Sequence, residues 1–145
     1  MRFRYSILPA EPDAAFPNRR SIKRPLLPVL LEKDGKAIVG PAMIDSGADY
    51  CVFPASIGTA LGIAMPNPNG YVFSRTGDPP HIAYFDTINV TIWNGDGAQQ
   101  PFRFELYAGF CDSLDHVGFG VLGQEGLFSR FQVQLYYRQN YFDIF

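Results

Sequence analysis

Five consecutive residues, Asp45-Ser46-Gly47-Ala48-Asp49, place a carboxylate beside a hydroxyl and a freely bending backbone. The apolar segment 37–44 leads directly into them, so a strand is expected to deliver Asp45 to a tight turn. Gly47 leaves its N–H unobstructed, and Ser46 supplies a hydroxyl that can donate or accept a hydrogen bond. A carboxylate held rigidly among donors, with space in front of it, is suited to activating a water molecule as a general base.

The motif resembles the active-site sequence of the retroviral-type aspartic peptidases, the retropepsin family, which reads Asp-Ser/Thr-Gly-Ala-Asp. All five positions match. Later in the chain, Val121-Leu122-Gly123 matches the two apolar residues and glycine of that family, which precede a short helix and a strand and pack beneath the catalytic turn. The resemblance covers roughly residue 25 to the end of the sequence. It is nearest to the small bacterial retropepsin-like proteins.

This resemblance implies a mainly β fold, a closed retropepsin-like β-barrel with two short helices. This is the acid protease fold with one lobe in each chain. A sequence of 145 residues suits one domain. We therefore expect residues 1–145 to form a single retropepsin-like domain, with residues 1–25 as an N-terminal strand and loop extension.

The implied function is that of an aspartic endopeptidase, which hydrolyses peptide bonds with an activated water. This reaction needs two carboxylates that share one proton, one acting as base and the other as acid. The sequence contains a single Asp-Ser-Gly, because Asp112-Ser113 is followed by leucine. The second Asp45 is therefore expected from another copy of the chain, across the axis of a two-fold homodimer. No covalent intermediate and no cofactor are expected.

The resemblance also assigns supporting roles around the catalytic Asp45. Ser46 would bond across the dimer axis, and the Gly47 N–H would donate to the carboxylate pair. Ala48 and Asp49 would lie along the substrate backbone. Thr76-Gly77-Asp78 would form a flap that closes over the substrate, although a plain surface hairpin is the alternative.

One position departs from the viral pattern. Viral members usually carry an arginine after the late glycine, where it pairs with the second aspartate of the motif; this chain has Gln124 there. The departure keeps two alternatives open: a catalytically silent retropepsin-fold dimer that binds peptides or acts as a scaffold, and a monomer in which Asp45 is unpaired. The intact five-residue motif favours activity.

The elements that must position the motif can be read from alternation and turn residues. Segments 26–32 and 37–44 are predicted to pair around a turn at 33–36, and 71–75 to pair with 81–85. A short helix is predicted over 54–61. Ile88, Val90 and Ile92 should share one face of a strand. Pro28 and Pro41 each remove a ladder donor, so both should lie at an edge or a bulge.

Composition limits the classes of binding partner and the cellular compartment that we expect for this protein. The net charge is −2, and the cluster at 19–24, the densest in basic residues, is interpreted as a solvated linker, so nucleic acid is not an expected partner. The apolar runs are too short to span a bilayer, and no signal peptide is visible. Cys51 and Cys111 make no disulfide framework, which favours a cytoplasmic location with both thiols free. Neither cysteine forms a metal-ligand spacing with His81 or His116.

Overall fold

The computed structural model describes residues 1–74, 79–95 and 97–145. Across these ranges the chain forms strands joined by short loops, with one α-helix, α1 (Ala55–Ala60), and two 3-10 helices at Asp112–Leu114 and Tyr137–Gln139. The strands are β1 (Arg2–Arg4), β2 (Ser6–Pro9), β3 (Ser21–Arg24), β4 (Leu26–Lys33), β5 (Lys36–Ile44), β6 (Val52–Pro54), β7 (Gly70–Phe73), β8 (His81–Ile92), β9 (Phe102–Cys111), β10 (Gly120–Leu122), β11 (Val133–Tyr136) and β12 (Tyr141–Ile144).

Strands β4, β5, β10, β6, β9 and β8 follow one another around a closed barrel. The barrel closes because β4 pairs with β5 along one edge and with β8 along the other. Most pairs are antiparallel, whereas β10–β5 and β6–β9 are parallel. Strand β7 lies outside the closed ring and pairs with β8 alone among the described strands. The predicted mainly β fold with a closed barrel is confirmed.

The barrel core follows from the alternation of apolar residues. Ile88, Val90 and Ile92 of β8 are all buried, as predicted, because successive side chains of a strand point to opposite faces. The neighbouring strands bury Leu27, Val29 and Leu31, and Leu106, Ala108 and Phe110, in the same cluster. Each large apolar side chain buried in this way contributes about 1.5–3 kcal/mol to folding.

Pro28 and Pro41 lie directly opposite each other in the β4–β5 pair. The pairing of β4 with β8 begins one residue later, at Val29, and that of β5 with β10 begins at Ala42. Neither proline therefore has to donate to a third strand. This is the edge-like position that was predicted for both, and it lets two residues without an N–H sit within long strands.

Two local predictions need correction. The helix expected after Gly123 is a series of turns, because Gly126 adopts φ 128° and its N–H donates to the Ser129 hydroxyl instead of a helical carbonyl. The basic cluster at 19–24 is not simply a linker, since Ser21–Arg24 forms β3 and pairs with β2. No helix among the described residues is long and apolar enough to cross a bilayer.

The beginning and end of the sequence meet in a separate sheet with the order β1-β12-β11. Its inner face adds Phe3 and Phe142, whose rings stack with centroids 5.3 Å apart, to the main core. Its other face carries Arg2, which donates from Nε and Nη2 to the two carboxylate oxygens of Asp143, each at 2.8 Å. The Arg2 guanidinium also lies 3.8 Å from the centre of the Tyr141 ring.

The Arg2–Asp143 pair predicts a specific pH dependence of stability. The hydrogen bonds from Arg2 hold the pKa of Asp143 below its usual value, which is about 3.9. Asp143 therefore stabilises the fold fully above that value, and the contribution is lost as the pH falls through the lower folded-state pKa. We expect Asp143→Asn to lower the urea midpoint at pH 7 and to differ less from the wild type in acid. A difference of constant size at every pH would contradict this assignment.

Candidate active site

Asp45 is the first residue after β5, and the end of β10 holds it in place. Its N–H donates to the Leu122 carbonyl at 3.1 Å, which extends the parallel β5–β10 pairing by one residue. The Asp45 carbonyl accepts from the Ala48 N–H at 3.2 Å and so closes the turn. The side chain of Asp45 is half-buried. The predicted delivery of a carboxylate by a strand into a tight turn is therefore present.

The Gly47 N–H donates to the Asp45 carboxylate, with a distance of 2.9 Å between N and Oδ1. A hydrogen bond donated to a carboxylate fixes its rotamer. A Cβ at Gly47 would lie 3.2 Å from the same oxygen, so any side chain here would crowd the carboxylate. Gly47 therefore combines a donor with open space.

Strand β10 lies between β5 and β6, the two strands that the turn connects. Directly after it, Gly123 passes so close to the turn that a Cβ would lie 2.3 Å from the Tyr50 carbonyl oxygen and 2.6 Å from that of Ala48. The next two N–H groups then donate to the turn: Gln124 to the Ala48 carbonyl and Glu125 to the Asp49 carbonyl, both at 2.8 Å. The turn is thus held by backbone contacts to a distant segment.

The Gln124 side chain adds a contact that the sequence did not indicate. Its Nε2 donates to the Ser46 carbonyl oxygen at 2.9 Å. The side-chain amide of Gln124 thus donates to the backbone of the turn, while the side chain of Asp49 is exposed.

Cys51 lies buried beneath the turn. Its sulfur accepts from the Gly123 N–H at 3.3 Å and lies 3.5 Å from the Glu125 carbonyl oxygen. Burial raises the pKa of the thiol to about 11, so it is neutral near pH 7 and packs instead of acting as a nucleophile. Cys51 and Cys111 are both free, as predicted, and both are buried.

Asp45, Gly47, Ala48 and Asp49 line one cleft of about 640 Å³. The β7–β8 hairpin forms one wall and contributes apolar side chains that include Tyr71 and Phe85. Aromatic contacts join this wall to the turn, since the Tyr50 ring lies 5.5 Å from Tyr71 and 5.7 Å from Phe85, both in T-shaped geometry. The cleft thus presents a carboxylate beside apolar surfaces.

The structure brings together four of the predicted site residues, and it places Ser46 on the exposed part of the same turn. The predicted flap residues Thr76, Gly77 and Asp78 lie outside the described ranges.

Arg24 also lines the cleft, although the sequence analysis placed it in a linker. In the sequence, the position of Arg24 just before the first barrel strand was the feature that could have indicated its place at the cleft. Within residues 1–74, 79–95 and 97–145, no group of three or more histidine, cysteine, aspartate or glutamate side chains is placed to hold a metal ion.

Comparison with solved structures finds the same fold in a retropepsin-like aspartic protease from Rickettsia conorii. The match covers 97% of this chain and 98% of that one, with a TM-score of 0.50 and 14% sequence identity. No family model matches the sequence. No curated protein matches it either. At this identity the likeness shows the fold, a retropepsin-like barrel, and the assignment of chemistry rests on the residues of the cleft.

Proposed function

We propose that this chain, which has the retropepsin-like fold, is an aspartic endopeptidase that works as a homodimer. The observation that carries the proposal is the Asp45 carboxylate, fixed by the Gly47 N–H and facing a cleft of about 640 Å³. A fixed, solvent-accessible carboxylate in an apolar cleft can hold a water beside a peptide carbonyl. The retropepsin-like fold supports this reaction by analogy but does not by itself assign it.

In the proposed mechanism, Asp45 and the Asp45 of a second copy share one proton. The ionised carboxylate takes a proton from water, which attacks the peptide carbonyl carbon, while the protonated carboxyl donates to the carbonyl oxygen. Collapse of the tetrahedral intermediate then transfers a proton to the leaving nitrogen. The Gly47 N–H assists by holding its carboxylate in one orientation. No metal and no covalent intermediate take part.

The proposed substrate is an extended peptide segment in a polypeptide. Ala48 and Asp49 lie at the cleft and would contact its main chain, as an added strand does. The rings of Tyr50, Tyr71 and Phe85 would receive apolar side chains. Thr76, Gly77 and Asp78 remain the predicted flap, and a cytoplasmic location remains a prediction.

A second candidate keeps the fold and the cleft but lacks catalysis, as a peptide-binding or scaffolding dimer. The observation that favours it is Gln124, which brings no positive charge to the turn and contacts the Ser46 carbonyl instead of Asp49. Cleavage separates the two candidates. The purified protein, incubated with a peptide library at acidic to mildly acidic pH, should yield new termini identified by mass spectrometry. Peptide binding without any cleavage would favour the scaffold.

Ser46 provides a test of the proposed dimer. Its side chain is exposed on the turn beside Asp45, where a second copy would bring its own Ser46 close. Removing a hydroxyl that bonds across the axis loses about 1 kcal/mol, or roughly fivefold in dimer affinity, for each hydrogen bond lost. We expect Ser46→Ala to raise the dissociation constant in sedimentation equilibrium. Unchanged dimerisation would place Ser46 outside the interface.

A further inference from the structure

The peptide group between Ser46 and Gly47 is hydrogen-bonded at both of its ends. Its N–H, from Gly47, donates to Oδ1 of Asp45 at 2.9 Å. Its carbonyl, from Ser46, accepts from Nε2 of Gln124 at 2.9 Å. A peptide group is planar, so fixing its oxygen also fixes the direction of its N–H. The side chain of Gln124 is therefore connected to the Asp45 carboxylate through one rigid unit.

Gln124 is well placed to act on this unit. Its own backbone N–H donates to the Ala48 carbonyl at 2.8 Å, which anchors the residue on the turn before its side chain reaches back to Ser46. The preceding Gly123 is buried against the turn, so the anchor is rigid. The side chain of Gln124 itself is exposed and packs into no core. The main contact of the Gln124 side chain is thus its hydrogen bond to the turn.

The segment that Gln124 fixes would otherwise be free to reorient. Ser46 and Gly47 are both exposed, and a glycine on one side of a peptide group permits backbone conformations that other residues resist. A rotated Ser46–Gly47 peptide would point its N–H away from Asp45. Hydrogen bonds in a chain also polarise one another, so donation to the carbonyl strengthens donation from the N–H.

We propose that Gln124 is a positioning residue, which orients the Ser46–Gly47 peptide and through it the Asp45 carboxylate. The effect on catalysis rests on the proposed peptidase function, whereas the effect on the peptide group does not. A neutral amide at this position thus supports the turn from the Ser46 side, without an ion pair to Asp49.

The test compares Gln124→Leu, which removes the donor, with Gln124→Lys, which restores a donor of similar reach. Gln132→Leu is the matched control, because Gln132 is exposed and lies after the turn-binding segment. Amide exchange of Gly47, measured by NMR, should accelerate about fivefold in Gln124→Leu, the equivalent of one lost hydrogen bond. Gln124→Lys should restore most of the protection. The unfolding midpoint should stay near that of the wild type.

Kinetics supply the second readout. Gln124→Leu should lower kcat about fivefold with little change in KM, because the Asp45 carboxylate is then oriented less well toward the attacking water. Gln124→Lys should restore most of kcat. Unchanged Gly47 exchange in Gln124→Leu would overturn the proposal. If the wild type cleaves no peptide, the peptidase assignment fails, but Gly47 exchange still decides whether Gln124 positions the turn.

Discussion

Asp45→Asn is expected to abolish peptide cleavage and to leave the fold intact. An amide can neither accept a proton from water nor share one with a second carboxylate, so both halves of the proposed acid–base pair fail together. Removing one member of such a catalytic unit typically lowers the rate by a factor of about 10⁴ or more. The measurement is the rate of appearance of new termini from a cleavable peptide, at a series of enzyme concentrations.

Two features make this experiment decisive. Asp34→Asn is a matched control, because Asp34 lies at an exposed turn with φ 48°, a conformation that asparagine also tolerates. Asp45→Asn should also dimerise as well as the wild type or better, since the negative charge of the carboxyl pair near the axis is removed. Full activity in Asp45→Asn would refute the mechanism. Cleavage by a protein that stays monomeric at every concentration would refute the shared pair of carboxylates.

Among Gly→Ala changes at the glycines that the structure describes, Gly123→Ala is expected to have the largest effect on stability. Its Cβ would lie 2.3 Å from the Tyr50 carbonyl oxygen and 2.6 Å from that of Ala48. Both atoms belong to the backbone of the turn that begins at Asp45, so they cannot move aside as the end of a side chain can. We expect a loss at the upper end of the roughly 1–3 kcal/mol that overpacking usually causes, together with loss of cleavage.

Urea unfolding followed by fluorescence measures this effect directly. Gly40→Ala is the matched control: its Cβ would meet only the Ile57 side chain, at an ordinary 3.5 Å, and Gly40 lies in β5 without a positive φ. Equal unfolding midpoints for the two variants would show that β10 and the turn separate more easily than their contacts imply.

The sequence predicted those features that depend on local pattern. Alternation at Ile88, Val90 and Ile92 identified a buried strand face, since a strand repeats every second residue. The turn at Asp45 could likewise be predicted, because the preceding apolar run and Gly47 are adjacent to it. The family resemblance implied only that Val121-Leu122-Gly123 packs beneath the turn. The position of β10 between β5 and β6 was not predicted, since no local pattern in a three-residue strand specifies its neighbours.

Other features depend on tertiary contacts, which local sequence patterns do not specify. Arg24 was interpreted as part of a charged linker because the sequence pattern of its strand is weak. Among the described strands, β3 pairs with β2 alone, and β2 is itself short and weakly patterned. The prediction of a helix after Gly123 was wrong because Gly126 adopts a left-handed φ and its N–H donates to the Ser129 hydroxyl. The Gln124 amide had several acceptors within reach of the turn, and only the folded backbone selects the Ser46 carbonyl.

The long-range origin of the contacts around Asp45 has a consequence for biosynthesis. Gln124 lies 78 residues after Ser46, and Leu122, Gly123 and Glu125 hold the turn from the same distant segment. A chain emerging from the ribosome therefore presents the Asp-Ser-Gly motif long before the residues that shape it. Contacts of high sequence separation also form late in folding. The carboxylate is thus left unorganised in the nascent chain. Under the proposed peptidase function, this order of events would keep the nascent chain from hydrolysing neighbouring polypeptides.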